Sequence, residues 1–204
     1  SDIIGTYRAN VMALARILQN GEVTKGIVHL SSTSVLLAVQ TYYSAAKRAG
    51  EEMVALAARD KGVPALSVRP SSITGIGEQK EHLIPKLIDS CLNGTEIPFV
   101  AEPTHDFVDV SDVARAVIFL AKNAKENAGK TINVSSGVTT TNQEVLEIVE
   151  RVSGKRANIK PISQLRDYDT GRWEVDNSEL VKMGWKPEVP LEESIRRMIN
   201  AHGK

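Results

Sequence analysis

A tyrosine and a lysine lie four residues apart in the stretch "TYYSAAKRAGEE", residues 41–52. On an α-helix, residues four positions apart share a face, with their Cβ atoms about 5–6 Å apart. Tyr43 and Lys47 meet this condition, whereas Tyr42 and Lys47 do not. A lysine ammonium beside a phenol favours the phenolate and lowers its pKa from about 10. Such a tyrosine can exchange a proton with a substrate hydroxyl, although the spacing also fits a surface tyrosine beside a solvated lysine.

Two further polar segments follow apolar runs of the kind that form buried strands. Ser31, Ser32 and Thr33 lie in "VHLSSTSV", and the next run ends in "VRPSSITGIG". Ligands of open α/β sheets bind at the carboxyl ends of the strands. A hydroxyl of the first segment is therefore placed to hold a substrate oxygen near Tyr43, although each segment also fits a simple turn. The pattern predicts that these groups converge at one sheet edge.

The elements that would position these groups alternate along the chain. Short apolar runs predict buried parallel strands at residues 26–32, 64–70 and 130–136. Apolar residues at helical spacing predict helices at residues 7–20, 43–60, 81–93, 111–124, 141–153 and 190–201. Pro85 either kinks its helix or marks a later start. Ser111 is the predicted N-cap of its helix, and Thr141 and Glu144 have the spacing of a capping box.

The composition describes a globular α/β protein. Of its 204 residues, 42% are hydrophobic and 25% are charged, and the formal net charge is zero. A neutral chain without a basic region disfavours nucleic acid as a partner. No apolar run approaches the roughly 18–20 residues that span a bilayer, and the sequence opens without a signal-peptide pattern. We therefore expect a cytoplasmic protein without a membrane partner, and we find no spacing of ligands that predicts a metal site.

Several motifs occur in an order that resembles the extended short-chain dehydrogenase/reductases. These motifs are "NVMALARIL", "IVHLSSTSV", "YYSAAKRAGEEM", "VRPSSITGIG", "HDFVDVSDVARAV", "TINVSSG" and "MGWKPEVPLEESI". Within that family, the sequence is most similar to the NAD-dependent epimerase/dehydratase group, in particular to UDP-glucose 4-epimerases. The resemblance extends from about residue 7 to residue 199.

The resemblance implies a fold, a cofactor and partners. Residues 1–75 would form the C-terminal part of a Rossmann-like parallel sheet that binds a dinucleotide. Residues 76–204 would form mainly a smaller α/β substrate lobe, with elements at about 105–135 returning to the core. The implied cofactor is NAD, with NADP as the alternative, and the implied substrate is a nucleotide sugar. A homodimer is implied, in which Ala45, Ala49 and Gly50 would pack against a second copy.

The resemblance also implies roles for individual residues. Tyr43 would be the catalytic acid/base, and Lys47 would bind the nicotinamide ribose and lower the pKa of the tyrosine. Thr33 would bind the reacting hydroxyl, with Ser32 as the alternative.

Other positions would line the cofactor and the substrate. Ser31, Pro70 and Ser71 are expected along the cofactor. Ser72 takes the place of an asparagine that contacts substrate in related enzymes, and His105 that of an arginine on the diphosphate. Arg166 would grip the diphosphate, because a planar guanidinium binds phosphate oxygens in pairs. His105 also fits a simple loop histidine, and Arg166 a surface arginine.

Two features depart from the family pattern. The sequence contains no G-x-G-x-x-G fingerprint, so we expect the N-terminal cofactor-binding segment to be missing. Thr33 and Tyr43 are only ten positions apart, where the family usually has a longer loop. Two alternatives therefore stand beside a nucleotide-sugar epimerase or dehydratase. One is a dehydrogenase or reductase of a non-nucleotide carbonyl, and the other is a non-catalytic fragment.

Overall fold

The structure is a computed structural model that describes residues 2–20, 26–163 and 173–202. The chain divides into two compact units that alternate along the sequence. The first unit holds the described residues of 1–70, 114–134 and 177–185, and the second those of 71–113, 135–176 and 186–204. The predicted division at residue 75 into a cofactor part and a substrate part concerns function, and it stays a prediction.

Helices and strands alternate in the order expected of an α/β protein. The helices are α1 (Ile3–Tyr7), α2 (Ala13–Asn20), α3 (Tyr42–Lys61), α4 (Leu83–Asn93), α5 (Val110–Lys122), α6 (Asn142–Ser153), α7 (Ser178–Lys182) and α8 (Leu191–Ala201). The strands are β1 (Ile27–Leu30), β2 (Ala65–Pro70), β3 (Ser72–Thr74), β4 (Ile97–Phe99), β5 (Thr104–Asp109), β6 (Thr131–Val134), β7 (Thr139–Thr141) and β8 (Ile159–Pro161). A π-helical segment, Arg8–Met12, joins α1 to α2.

A three-stranded parallel sheet in the order β1–β2–β6 forms the centre of the first unit. The central strand β2 is buried on both faces, and Ala65, Leu66 and Val68 have no exposed surface. Continuous apolar character is typical of such strands, because helices cover both faces of a parallel sheet. The predicted parallel sheet and the α/β class are thereby confirmed.

The core of the first unit lies between this sheet and the helices α2 and α3. It contains Leu14, Leu18, Val54, Ala57 and Ala65. Each fully buried leucine or valine stabilises the fold by about 1.5–3 kcal/mol relative to an exposed one. This packing holds α3, which carries Tyr43 and Lys47, against the sheet.

The second unit contains shorter strands around a helical core. Strand β5 pairs parallel with β3 and antiparallel with β7, and β4 pairs parallel with β8. Residues of α4, α6 and α8 fill the core, including Ile84, Leu87, Val145, Val149 and Ile195.

The helix boundaries confirm some local predictions and correct others. Pro85 lies in the first turn of α4, where a missing N–H is tolerated, so it marks a late start rather than a kink. The capping box of Thr141 and Glu144 is present at the start of α6. The predicted N-cap Ser111 is wrong, because α5 already begins at Val110 and the Ser111 N–H donates to the Asp109 carboxylate at 2.8 Å.

The first helical segment also begins earlier than predicted. Helix α1 starts at Ile3 rather than at Tyr7, because the Asp2 carboxylate caps it and accepts from the Gly5 N–H at 2.9 Å. Among the described residues, no helix combines the length and the apolar character needed to cross a membrane.

Candidate active site

The start of α3 is fixed by a reciprocal capping arrangement. The Thr41 hydroxyl accepts from the Ser44 N–H at 3.1 Å, and the Ser44 hydroxyl accepts from the Thr41 N–H at 2.8 Å. Two otherwise unpaired backbone donors are thereby satisfied. The local sequence thus places Tyr43 in the first turn of the helix, next to the end of strand β1.

Tyr43 and Lys47 meet as their spacing predicts. The Lys47 ammonium lies 5.5 Å from the centroid of the Tyr43 ring, and its Nζ donates to the Leu30 carbonyl at 2.7 Å. This carbonyl belongs to the last residue of β1. Partial burial lowers the pKa of Lys47. The contact therefore ties the polar face of α3 to the carboxyl end of a parallel strand.

The pKa of Tyr43 differs from the prediction. Partial burial raises this pKa above its usual value, and a hydrogen bond with the Ser32 side chain opposes the rise only in part. The sequence predicts a lowered pKa because it assumes an ammonium directed at the phenol. In the structure, Lys47 lies over the ring and donates to the main chain.

The two candidate hydroxyls before Tyr43 occupy different environments. The Ser32 side chain lies close enough to Tyr43 to lower the pKa of the phenol, and the Ser32 hydroxyl accepts from the Ser34 N–H at 3.1 Å. Thr33 is only 1% exposed, and its hydroxyl donates to the Pro70 carbonyl at 3.2 Å. The geometry therefore favours Ser32, which the sequence leaves as the alternative, over Thr33. Ser32 is the N-cap of a one-turn 3₁₀ helix whose first residue is Thr33.

The remaining predicted residue of this segment is directed into the protein. Ser31 is 5% exposed, and its hydroxyl donates to Glu51 at 2.5 Å. Glu51 also accepts two hydrogen bonds from Arg69, at 2.7 Å and 2.5 Å. Sequence reasoning missed Glu51, although its position four residues after Lys47 places it on the same helical face.

In the second unit, a buried carboxylate organises the other serine segment. Asp106 is 2% exposed and accepts from the Ser71 hydroxyl at 3.0 Å. It also accepts from the backbone N–H groups of Ser136 and Gly137, both at 2.8 Å. The predicted cofactor residue Ser71 is therefore held by Asp106, which the sequence analysis does not single out. Ser72 lies on β3, opposite Phe107 of β5.

His105 belongs to a strand and not to a loop. It lies on β5, with its ring tilted against Phe107 and Trp173 at centroid distances of 5.5 Å and 5.8 Å. The predicted substrate residue Arg166 lies outside the described residues. Within the described part of the chain, no group of three or more His, Cys, Asp or Glu side chains could hold a metal ion.

The structure corrects one residue of the expected dimer face. A Cβ added at Gly50 would lie 2.6 Å from Cε1 and Nε2 of His29, so Gly50 faces strand β1 and not a partner. Ala45 and Ala49 are partly exposed. The homodimer itself stays a prediction.

The burial of His29 can be tested through the pH dependence of the unfolding free energy. Burial lowers the pKa of His29, the charge of Lys47 lowers it further, and Glu51 acts in the opposite direction. The unfolded chain therefore binds a proton more readily than the folded protein does. The stabilisation is complete above about pH 6.5 and is lost as the pH falls below that value. We expect His29→Asn to reduce the loss of unfolding free energy between about pH 7.5 and about pH 5.

Urea denaturation at several pH values measures this dependence. His202→Asn is the control, because His202 is exposed at the end of α8. If the unfolding free energy depends on pH in the same way in wild type and in His29→Asn, burial does not lower the pKa of His29.

Comparison with known proteins identifies the family. Residues 6–135 match the model of the NAD dependent epimerase/dehydratase family, and the chain belongs to this family. It is 32% identical over 165 residues to the "Probable GDP-L-fucose synthase 1" of Oryza sativa subsp. japonica. That match covers 76% of this chain and 49% of the rice protein, so the chain spans about half the length of this relative.

Two solved structures show the same fold. The RMD protein of Pseudomonas aeruginosa, complexed with NADPH, matches with a TM-score of 0.85 and 21% identity, over 98% of this chain and 74% of that one. The UDP-glucose 4-epimerase of Thermus thermophilus, complexed with NAD, matches with a TM-score of 0.81 and 21% identity. This second match covers 96% of this chain and 68% of the Thermus chain. The predicted Rossmann-like fold and the predicted family are confirmed.

Proposed function

We propose that this chain carries the proton-transfer site of an NAD(P)-dependent oxidoreductase that acts on a nucleotide sugar as an epimerase or dehydratase. The observation that carries the proposal is the position of Tyr43 in the first turn of α3, with the Lys47 ammonium 5.5 Å from its ring and bonded to the Leu30 carbonyl at the end of β1. These groups lie where β1 ends in a parallel sheet, which is the edge at which such sheets bind ligands.

Each of the three side chains has a distinct role in the proposal. Tyr43 takes the proton of the reacting sugar hydroxyl and later returns it. Ser32 replaces Thr33 as the group that binds this hydroxyl, because the Thr33 hydroxyl is buried and donates to Pro70. Lys47, whose ammonium lies beside the Tyr43 ring and donates to the Leu30 carbonyl, binds the nicotinamide ribose in the proposal.

The residues present fit a nicotinamide cofactor at this edge. An ammonium has three donors, and Lys47 directs one of them to the Leu30 carbonyl, which leaves donors for ribose hydroxyls. A bound nicotinamide would supply the hydride acceptor and donor for the sugar carbon. Ser31 is not a proposed cofactor contact, because its buried hydroxyl donates to Glu51. Tyr43 and Lys47 are therefore the proposed contacts in the first unit, together with the end of β2 at Pro70.

Similarity to enzymes of sugar nucleotides supports the substrate class. The rice relative is named as a GDP-L-fucose synthase, and the Thermus structure is that of a UDP-glucose 4-epimerase. Ser72, His105 and Arg166 stay the proposed substrate contacts. His105 in place of a diphosphate-binding arginine, and Ser72 in place of an asparagine, favour a second candidate, a dehydrogenase or reductase of a non-nucleotide carbonyl. Turnover of carbonyl compounds without turnover of UDP- or GDP-linked hexoses would select this candidate.

Two matched substitutions test which hydroxyl serves the site. We expect Ser32→Ala to lower kcat/KM about 100-fold, because it removes the hydrogen bond to Tyr43 and to the substrate. We expect Thr33→Val to leave kcat/KM nearly unchanged and to lower the unfolding free energy by about 1 kcal/mol, because Pro70 loses a buried donor. Steady-state kinetics with UDP- and GDP-linked hexoses and urea denaturation measure both effects. Loss of turnover in Thr33→Val alone would contradict the assignment of Ser32.

A further inference from the structure

Glu51 lies on the helical face of α3 that carries Tyr43 and Lys47. The three residues are spaced by four positions, so they follow one another along this face. Glu51 is 7% exposed, so its carboxylate lies inside the first unit and cannot contact a substrate in solution. We propose that Glu51 is a positioning residue, which fixes the α3 face carrying Tyr43 against the segment carrying Ser32. The inference rests on the proposed function, because it assigns that role to the same site.

Three hydrogen bonds hold the Glu51 carboxylate in one orientation. Arg69 donates from Nε to Oε1 at 2.7 Å and from Nη2 to Oε2 at 2.5 Å. Ser31 donates its hydroxyl to Oε1 at 2.5 Å. A guanidinium that binds both oxygens of a carboxylate constrains its plane as well as its position. The side chain therefore acts as a rigid link between three segments of the chain.

Each partner of Glu51 is the immediate neighbour of a predicted site residue. Ser31 precedes Ser32 at the end of β1, and Arg69 precedes Pro70 at the end of β2. The link thus joins α3 to the carboxyl ends of two adjacent parallel strands. A change in the Glu51 contacts would alter the position of α3 relative to the carboxyl ends of these strands.

A second contact, one helical turn before Glu51, fixes the position of α3 relative to the end of β1. Lys47 donates to the carbonyl of Leu30, which is the residue before Ser31. Two successive turns of α3 therefore bind two successive residues of one strand end. Rotation or sliding of the helix would break both contacts together. Their combined effect is to keep the Tyr43 hydroxyl within reach of Ser32.

The ionic character of the link explains why an amide would not replace it. A buried carboxylate requires a paired charge and full hydrogen bonding, and Arg69 supplies both. Glutamine keeps the shape of the side chain but offers one oxygen in place of two. Glu51→Gln is therefore expected to loosen the link without removing volume from the core.

The coupling between Glu51 and the Ser32–Tyr43 contact can be measured without turnover. The Tyr43 pKa is obtained by NMR titration of the purified protein labelled at tyrosine Cζ, with Tyr43→Phe assigning the signal. Ser32→Ala is expected to raise the Tyr43 pKa, because the hydrogen bond from Ser32 lowers it. In a Glu51→Gln background, this rise is expected to shrink to less than about one third. The control Glu52→Gln changes the exposed neighbour and is expected to leave the full rise.

Kinetics give a second readout that a purely structural role would not produce. Glu51→Gln is expected to lower kcat about 10-fold or more, with KM within about 3-fold of wild type, because orientation and not binding is lost. Glu51→Asp keeps the charge and is expected to recover part of the loss. Glu52→Gln is expected to match wild type.

The inference is overturned if Ser32→Ala raises the Tyr43 pKa equally in the wild-type and Glu51→Gln backgrounds. Should Glu51→Gln fail to fold, Arg69→Lys takes its place, because lysine keeps the charge and lacks the planar fork. If the rise in the Tyr43 pKa shrinks in the Glu51→Gln background but the protein turns over no sugar nucleotide, the positioning role of Glu51 is supported and the proposed function is overturned.

Discussion

Replacing Tyr43 with phenylalanine is expected to lower kcat/KM about 100- to 10,000-fold, the range typical of a lost general acid/base. The substitution removes only the hydroxyl, and the ring that lies against the Lys47 ammonium is retained. We therefore expect nicotinamide cofactor affinity to stay within about 3-fold of wild type, so that the loss appears in the chemical step. Steady-state kinetics and a cofactor titration on the same preparation measure the two effects.

The neighbouring Tyr42 provides the matched control. It belongs to the same helix turn and is 52% exposed, compared with 46% for Tyr43, but it lacks the four-residue spacing to Lys47. We expect Tyr42→Phe to retain turnover. Equal losses in the two variants, or no loss in Tyr43→Phe, would remove Tyr43 from the chemistry.

Asp106→Ala is expected to lower the unfolding free energy by about 2–3 kcal/mol, mainly through the buried Ser71 donor. The substitution leaves the Ser71 hydroxyl and the N–H groups of Ser136 and Gly137 without their acceptor. The buried Ser71 donor costs about 1–3 kcal/mol when it has no partner, and the N–H groups of half-buried Ser136 and exposed Gly137 cost less because water reaches them. Urea denaturation monitored by circular dichroism measures the change.

Two further variants show whether the loss of stability comes from the missing acceptor. Asp106→Asn keeps one carbonyl oxygen and is expected to lose less stability than Asp106→Ala. Glu102→Ala alters an exposed side chain and is expected to stay within about 0.5 kcal/mol of wild type. If Asp106→Ala also stays within about 0.5 kcal/mol, the donors have found other acceptors and Asp106 does not organise this segment.

Local patterns predicted the parts of the site that depend on helical and strand periodicity. The spacing of Tyr43 and Lys47 sets their common face before any tertiary contact forms, and the structure brings them together. The parallel sheet was predictable because predominantly apolar runs, such as residues 65–68, are typical of strands that are buried on both faces.

Details that depend on tertiary contacts were not predictable in the same way. Consecutive hydroxyls at a strand end look equivalent in sequence, and only the tertiary structure shows that Thr33 is buried against the Pro70 carbonyl whereas Ser32 lies near Tyr43. The direction of the Tyr43 pKa shift depends on burial and on where the Lys47 ammonium points. Gly50 fits a helix–helix contact in sequence, and its actual neighbour is His29 of strand β1.

Long-range polar contacts explain why two important carboxylates were missed. Glu51 binds Arg69, which lies 18 positions away, and Asp106 binds Ser136, which lies 30 positions away. Neither distance leaves a periodic signal in the sequence. Arg69 and Ser136 lie near the carboxyl ends of the predicted strands 64–70 and 130–136, but their carboxylate partners lie in other elements.

A crystal structure of the protein with a nicotinamide cofactor and a nucleotide sugar would show directly whether Tyr43 and Ser32 contact the reacting sugar hydroxyl. We expect one sugar hydroxyl to lie within about 2.6–3.2 Å of both the Tyr43 and the Ser32 hydroxyl oxygens. A sugar bound with its reacting hydroxyl away from Tyr43, or held by Thr33 in place of Ser32, would contradict it.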